Sequence, residues 1–125
     1  MDGEIARIER FQPAPANRLY LGGVLLQTLK WDNVAIRMFK RCLALESAHA
    51  KAMNACGVSL TSRATRKFLA RDITCKDDFE LARRYFEQAL SIRPDYWIAR
   101  RHLENVRTQL DALQAPVPSN PQDGS

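Results

Sequence analysis

The stretch that decides the fold is Asp78-Phe-Glu-Leu-Ala-Arg-Arg-Tyr-Phe-Glu-Gln-Ala-Leu-Ser-Ile-Arg-Pro94. Phe79, Ala82, Phe86 and Ala89 follow one another at three and four residues, with Leu90 beside the last, and this spacing gathers them on one face of an α-helix. Asp77, followed three residues on by Glu80, makes a capping-box-like start, and Pro94 ends the helix. Downstream, Asp95 stands where it can cap a second helix whose face is Ala99, Leu103, Val106, Leu110 and Leu113. Upstream, Ala52, Met53, Cys56 and Leu60 form a further face that Ala64 and Phe68 continue at the same four-residue step. Val34, Ala35, Met38, Phe39, Cys42 and Leu43 form another, entered through Asp32 and Asn33, and Leu19, Gly22, Gly23, Leu26 and Leu29 the first, opened by Asn17. Between Asn17 and Leu113 there is one proline and there are three glycines, so little interrupts helices, and no stretch alternates as a half-buried strand would. The expected class is all-α, with five helices.

The deciding stretch also repeats. Set against Trp31-Asp-Asn-Val-Ala-Ile-Arg-Met-Phe-Lys-Arg-Cys-Leu-Ala-Leu-Glu-Ser47, it pairs Ala82 with Ala35, Phe86 with Phe39, Ala89 with Cys42, Leu90 with Leu43 and Ile92 with Leu45. Small residues recur where two helices approach closely and large ones where a gap is filled.

On these residues the chain resembles the tetratricopeptide repeat family, whose unit is a helix–turn–helix of about 34 residues. Ala82, Phe86, Ala89 and Pro94 match the family's second-helix pattern; Ala35, Phe39 and Cys42 match it with Ser47 in place of proline. Cys56-Gly57 with Leu60, and Gly22-Gly23 with Leu26, match the first-helix pattern loosely. The resemblance implies a helical hairpin array over 16–114: one repeat from about Ala16 to His49, a second from Ala50 to near Tyr96, and a C-terminal capping helix from Trp97 to Gln114. Residues 1–15 are read as an N-terminal segment, and 115–125, rich in proline and poor in residues to bury, as a disordered tail.

The second repeat is longer than the unit, and the excess lies between Leu60 and Asp77. The first helix of that repeat is expected to continue to about Ala70, with a turn near Asp72 to Lys76. Residues 63–76 hold Arg63, Arg66, Lys67, Arg71 and Lys76 against Asp72 alone, a local charge of +4 beside the chain's +5. This basic extension reads either as a solvated helix face or as a docking patch for an acidic partner. Nucleic acid is such a partner in principle, since clustered cations neutralise phosphates. Phe68, the one aromatic there, is expected to pack inward, which leaves no stacking platform.

No catalytic constellation or phosphate loop stands out, so an enzyme is not expected and no cofactor is implied. Cys42, His49 and Cys56 recur at seven residues, but the two cysteines fall on core faces, where cysteine acts as a compact hydrophobe, and a metal is not expected. Cys75, in the expected turn, is the candidate reactive thiol. The Gly22-Gly23 pair reads as close helix packing.

What the resemblance implies about function is a protein–protein interaction module, an adaptor, scaffold or small chaperone that takes a peptide or protein in a groove lined by first-helix side chains. Those positions are Asn17, Tyr20, Val24 and Gln27, then Lys51, Asn54, Val58 and Ser62, with Ile98, Arg101 and Asn105 of the last helix. Tyr20, Val24 and Ala55 stand where members that clamp a terminal carboxylate carry Lys, Asn and Asn, so that specialised role is not carried over. A structural subunit of a larger assembly is the other alternative.

At 46% hydrophobic and 26% charged residues, the 125-residue chain has the composition of one globular domain. Three cysteines suit a reducing compartment, so a cytoplasmic location is expected. Leu19 to Leu26 is too short for a membrane span, and Met-Asp-Gly-Glu-Ile lacks the layout of a signal peptide. The first helix is apolar nearly all round, so one face is expected to stay open in a monomer. Either Ile5, Ile8 and Phe11 fold back over it, or a homodimer or partner covers it.

Overall fold

A computed structural model describes residues 14–114 of the protein. Among them are five α-helices and no strands: α1 (Pro15–Thr28), α2 (Asp32–Leu45), α3 (Ala50–Leu69), α4 (Cys75–Ile92) and α5 (Trp97–Gln114). The expected all-α class is therefore observed. The segment with Ile5, Ile8 and Phe11 and the tail 115–125 lie outside the described residues. None of the described helices is long and apolar enough to cross a membrane.

Helix ends follow local chemistry. α1 starts at Pro15, two residues before the expected Asn17, because proline at the first helical position gives up an N–H that has no partner there. α1 and α3 end alike. Lys30 and Arg71 both adopt left-handed φ, at 65° and 59°. Each is flanked by paired bonds back into the helix: Lys30 N to Gln27 O and Trp31 N to Leu26 O, then Arg71 N to Phe68 O and Asp72 N to Lys67 O. Asp72 Oδ1 accepts from the Thr74 N–H at 2.9 Å and from its hydroxyl at 2.7 Å, so the turn closes by residue 74. α4 consequently begins at Cys75, not after Lys76, and Asp77 and Asp78 fall inside its first turn rather than at its cap. At α5 it is Tyr96, not Asp95, whose carbonyl accepts the first helical bond, from Arg100.

Short connections fold each helix back on its predecessor, so consecutive helices pack together. α1 also meets α3, and α3 meets α5, whereas α2 and α4 do not meet. The core follows the aligned pairs: Ala35 and Ala82, Phe39 and Phe86, Cys42 and Ala89 are all completely buried. Each phenylalanine lies against a glycine of the preceding helix. A Cβ on Gly23 would stand 2.5 Å from Phe39 Cε1, and one on Gly57 2.6 Å from Phe86 Cε1. Only glycine admits the ring at that separation.

α3 has 20 residues against 14 in α1, and its end overhangs the first hairpin. The guanidinium of Arg66 reaches the carbonyl of Lys30, just past the C-terminus of α1, at 3.4 Å. Residues beyond 66 therefore have no α1 beside them. This corrects the expectation for Phe68. It stays on the four-residue step, but it is half exposed because no helix is there to cover it.

Candidate functional site

The residues expected to line a groove lie on α1, α3 and α5. Three of them, Gln27, Asn17 and Tyr20, instead pack α1 onto α3 and its N-terminal cap. Gln27 Nε2 donates to the Ala55 carbonyl and to Ser59 Oγ, both at 2.8 Å. Asn17 Oδ1 lies 2.9 Å from His49 Nε2, while His49 Nδ1 accepts from the Ala52 N–H at 3.0 Å and so caps α3. With Nδ1 accepting, Nε2 is the ring nitrogen that donates to Asn17. The Tyr20 ring lies 5.1 Å from His49 and 6.2 Å from Phe39, and its burial raises its pKa, with Tyr96 and Cys42 adding to the shift.

Val24 and Val58 are half-buried against the core. Asn54 is buried, and its Oδ1 has no hydrogen-bond partner. Ser62 is half-buried, and Lys51, Ile98, Arg101 and Asn105 are exposed. His102, beside Arg101, stacks on Phe86 at 5.4 Å, and burial, then the Arg101 charge, hold its pKa below the usual value. Sequence reasoning missed His49 and Ser59. A histidine immediately before an apolar run was the available signal for the cap.

The basic extension resolves into an internal ion network. Arg63 grips the Asp78 carboxylate with two bonds of 2.8 Å, Nε to Oδ2 and Nη2 to Oδ1, and its Nη1 donates to Asn33 Oδ1 at 3.0 Å. Lys67 Nζ lies 2.9 Å from Asp78 Oδ2, and Arg66 Nη2 lies 2.9 Å from Asp32 Oδ2. The Arg66 contact is an ion pair out of line for a hydrogen bond, since Oδ2 of Asp32 accepts none. Both carboxylates are buried. Burial alone would raise Asp78, but hydrogen bonds from Arg63 and Lys67 outweigh it and hold the carboxyl below its ordinary range; the same bond raises Arg63. Three of the five cations are thus committed to two carboxylates from outside the extension. Among the described residues, Arg71 and Lys76 make no ion pair.

All three cysteines are free thiols and all are buried, Cys75 included, so the expected reactive thiol is not presented to solvent. Burial pushes Cys56 up to about 11, and its neighbour Tyr85 up to about 12 for the same reason. Cys42 is likewise raised by burial. Cys42 and Cys56 belong to different core clusters, and no group of three potential metal ligands occurs among the described residues.

Where α3 overhangs, Phe68, Leu69, Ile73, Cys75 and Leu113 surround an open cavity of about 640 Å³, bordered by Arg71, Asp72 and Lys76. A second exposed apolar set comprises Leu21 and Leu25 of α1 with Leu29 and Trp31 of the turn that follows it.

Comparison of the chain with protein-family models, curated proteins and solved structures finds no match.

Proposed function

We propose that the chain is a protein-binding module on the tetratricopeptide plan, an adaptor, scaffold or small chaperone that holds a peptide or protein partner on the α1–α3–α5 face. The observation that carries this is the pattern of helix contacts. α3 meets both α1 and α5, whereas α2 and α4 do not meet. A stack closed on one side and open on the other curves toward the closed side, and α1, α3 and α5 form that inner face. The glycine–phenylalanine contact repeated in both hairpins supports the same plan. With Asn17, Tyr20 and Gln27 tied into the stack, recognition falls to Lys51, Val58, Ser62, Arg101 and Asn105. Free thiols suit the cytoplasmic setting that goes with this proposal.

The test is affinity capture from native extract by the wild type and by a Lys51→Glu/Arg101→Glu variant. Both sites are exposed, so the melting midpoint should not change while the bound proteins are lost. Partners retained by the variant, or bound material that nuclease removes, would refute the proposal.

The exposed stripe of Leu21, Leu25, Leu29 and Trp31 favours a second reading, a homodimer or assembly subunit that covers α1. Light scattering at micromolar concentration, with Leu25→Glu as the dissociating variant, decides it.

A further inference from the structure

The geometry points to a second docking site in the cavity at the α3–α4 turn, one that takes a peptide segment pairing apolar with acidic side chains. The floor is apolar and open: Phe68 is 52% exposed, Leu69 74% and Ile73 89%, with half-buried Leu113 of α5 closing one side. Scattered exposed apolar residues are normal, but these converge on one concavity of about 640 Å³, a volume in the range of ligand sites.

The rim selects the partner's charge. Arg63 and Lys67 share Asp78 and Arg66 pairs with Asp32, three cations to two buried carboxylates, so most of their charge is already paired within the fold. Arg71 and Lys76 border the cavity with no ion pair among the described residues. Asp72, the one carboxylate on the border, turns Oδ1 toward Thr74 and stays ionised, since those neutral donors stabilise its charge without cancelling it; Arg71 and Lys76 outnumber it two to one, so the rim is net positive. An occupant that puts aliphatic groups on Phe68 and Ile73 and a carboxylate near Arg71 or Lys76 satisfies both. A polyanion without apolar groups would leave the floor exposed to water. The cavity lies past the end of α1, so this site is distinct from the α1–α3–α5 face.

The test uses the full chain and two dye-labelled peptides, one built of Leu and Glu, the other with Lys in place of Glu. The Glu peptide should bind at least tenfold more tightly by fluorescence anisotropy. Ile73→Ser, at a position 89% exposed, should weaken it at least tenfold with the melting midpoint unchanged. Arg71→Glu/Lys76→Glu should reverse the preference. Amide chemical-shift changes should centre on residues 68–76 and Leu113. Equal binding of the two peptides, or shifts confined to Val58, Arg101 and Asn105, would overturn the proposal and leave the groove reading intact. Dimerisation that Ile73→Ser abolishes would assign the cavity to a second copy instead. Probe binding that tightens tenfold on Val117→Ser would assign it to the chain's own C-terminal segment.

Discussion

Two adjacent glycines in α1 should respond in opposite directions to the same substitution. In a helix interior, alanine in place of glycine gains up to about 1 kcal/mol from reduced backbone entropy in the unfolded chain. At Gly23 the added Cβ would stand 2.5, 2.8 and 2.9 Å from Cε1, Cδ1 and Cζ of Phe39. Ordinary carbon contacts lie at about 3.5–4.0 Å, so the ring must retreat by about 1 Å. Phe39 is completely buried and has nowhere to retreat. Overpacking of this kind costs about 1–3 kcal/mol and outweighs the entropic gain. At Gly22 the Cβ would meet only the terminal methyl of Met38, at 3.1 Å. Met38 is half-buried, and its unbranched side chain gives way by a few tenths of an ångström. Gly22→Ala should therefore raise the melting midpoint by several degrees. Gly23→Ala should lower it by about 5–10 °C, since about 1 kcal/mol moves a domain of this size by roughly 4–8 °C. Thermal melts followed by circular dichroism at 222 nm, with urea titrations alongside, read both. Phe39→Leu in the Gly23→Ala background should recover part of the loss. If both variants shifted the midpoint the same way, the close approach of Phe39 to α1 would be wrong.

Three other outcomes follow from the ion pairs, burial and backbone angles described above. Asp78→Asn should cost about 1–3 kcal/mol in urea denaturation, less than the roughly 3–5 of a fully buried pair, because Arg63 and Lys67 still reach water. The Asp78 carboxyl is depressed in the fold, so its stabilisation is present above the unfolded value of 3.8 and is lost as pH falls through the lower folded value. His102 titrates the other way round in charge: burial lowers its folded pKa, so the unfolded chain takes up the proton first. Stability is then complete above 6.5 and declines as pH falls below it, and melts between pH 7.5 and 5 should show His102→Phe with a flatter profile than the wild type. Lys30→Gly should stabilise by up to about 1 kcal/mol, because a left-handed residue without a Cβ escapes the steric penalty at φ 65°; an unchanged urea midpoint would mean the Lys30 conformation is not strained.

The helices were legible because each carries a full apolar face at three- and four-residue steps, and burial enforces that period. The small–large pairing of Ala35, Phe39 and Cys42 with Ala82, Phe86 and Ala89 was legible for the same reason. What period cannot say is how far a neighbouring helix extends. Phe68 has the right step and the wrong surroundings. Cys75 was misplaced because a turn's length depends on side-chain bonds such as those Asp72 makes to Thr74, which residue type alone does not specify. The groove residues were half legible. The first-helix positions were identifiable by their register, but whether Gln27 points to a partner or braces Ser59 depends on the distance between α1 and α3.

The charge of the extension was the least legible feature, and its cause ties the molecule together. A count along 63–76 sees five cations and one carboxylate. It cannot see Asp78, 15 residues from Arg63 but one helix across, or Asp32 in the preceding hairpin. Those carboxylates are buried because α3 is long enough to lie over them, and burial is tolerable only because α3 supplies cations at that level. The added length thus does two things. Its first turns carry Arg63, Arg66 and Lys67, which neutralise what the helix covers. Its last turn, past the reach of α1, carries Phe68 and Leu69 with nothing to cover them. The same overhang that spends three cations on the fold leaves two, Arg71 and Lys76, beside an open apolar cavity, and there the extension's charge remains available to a partner.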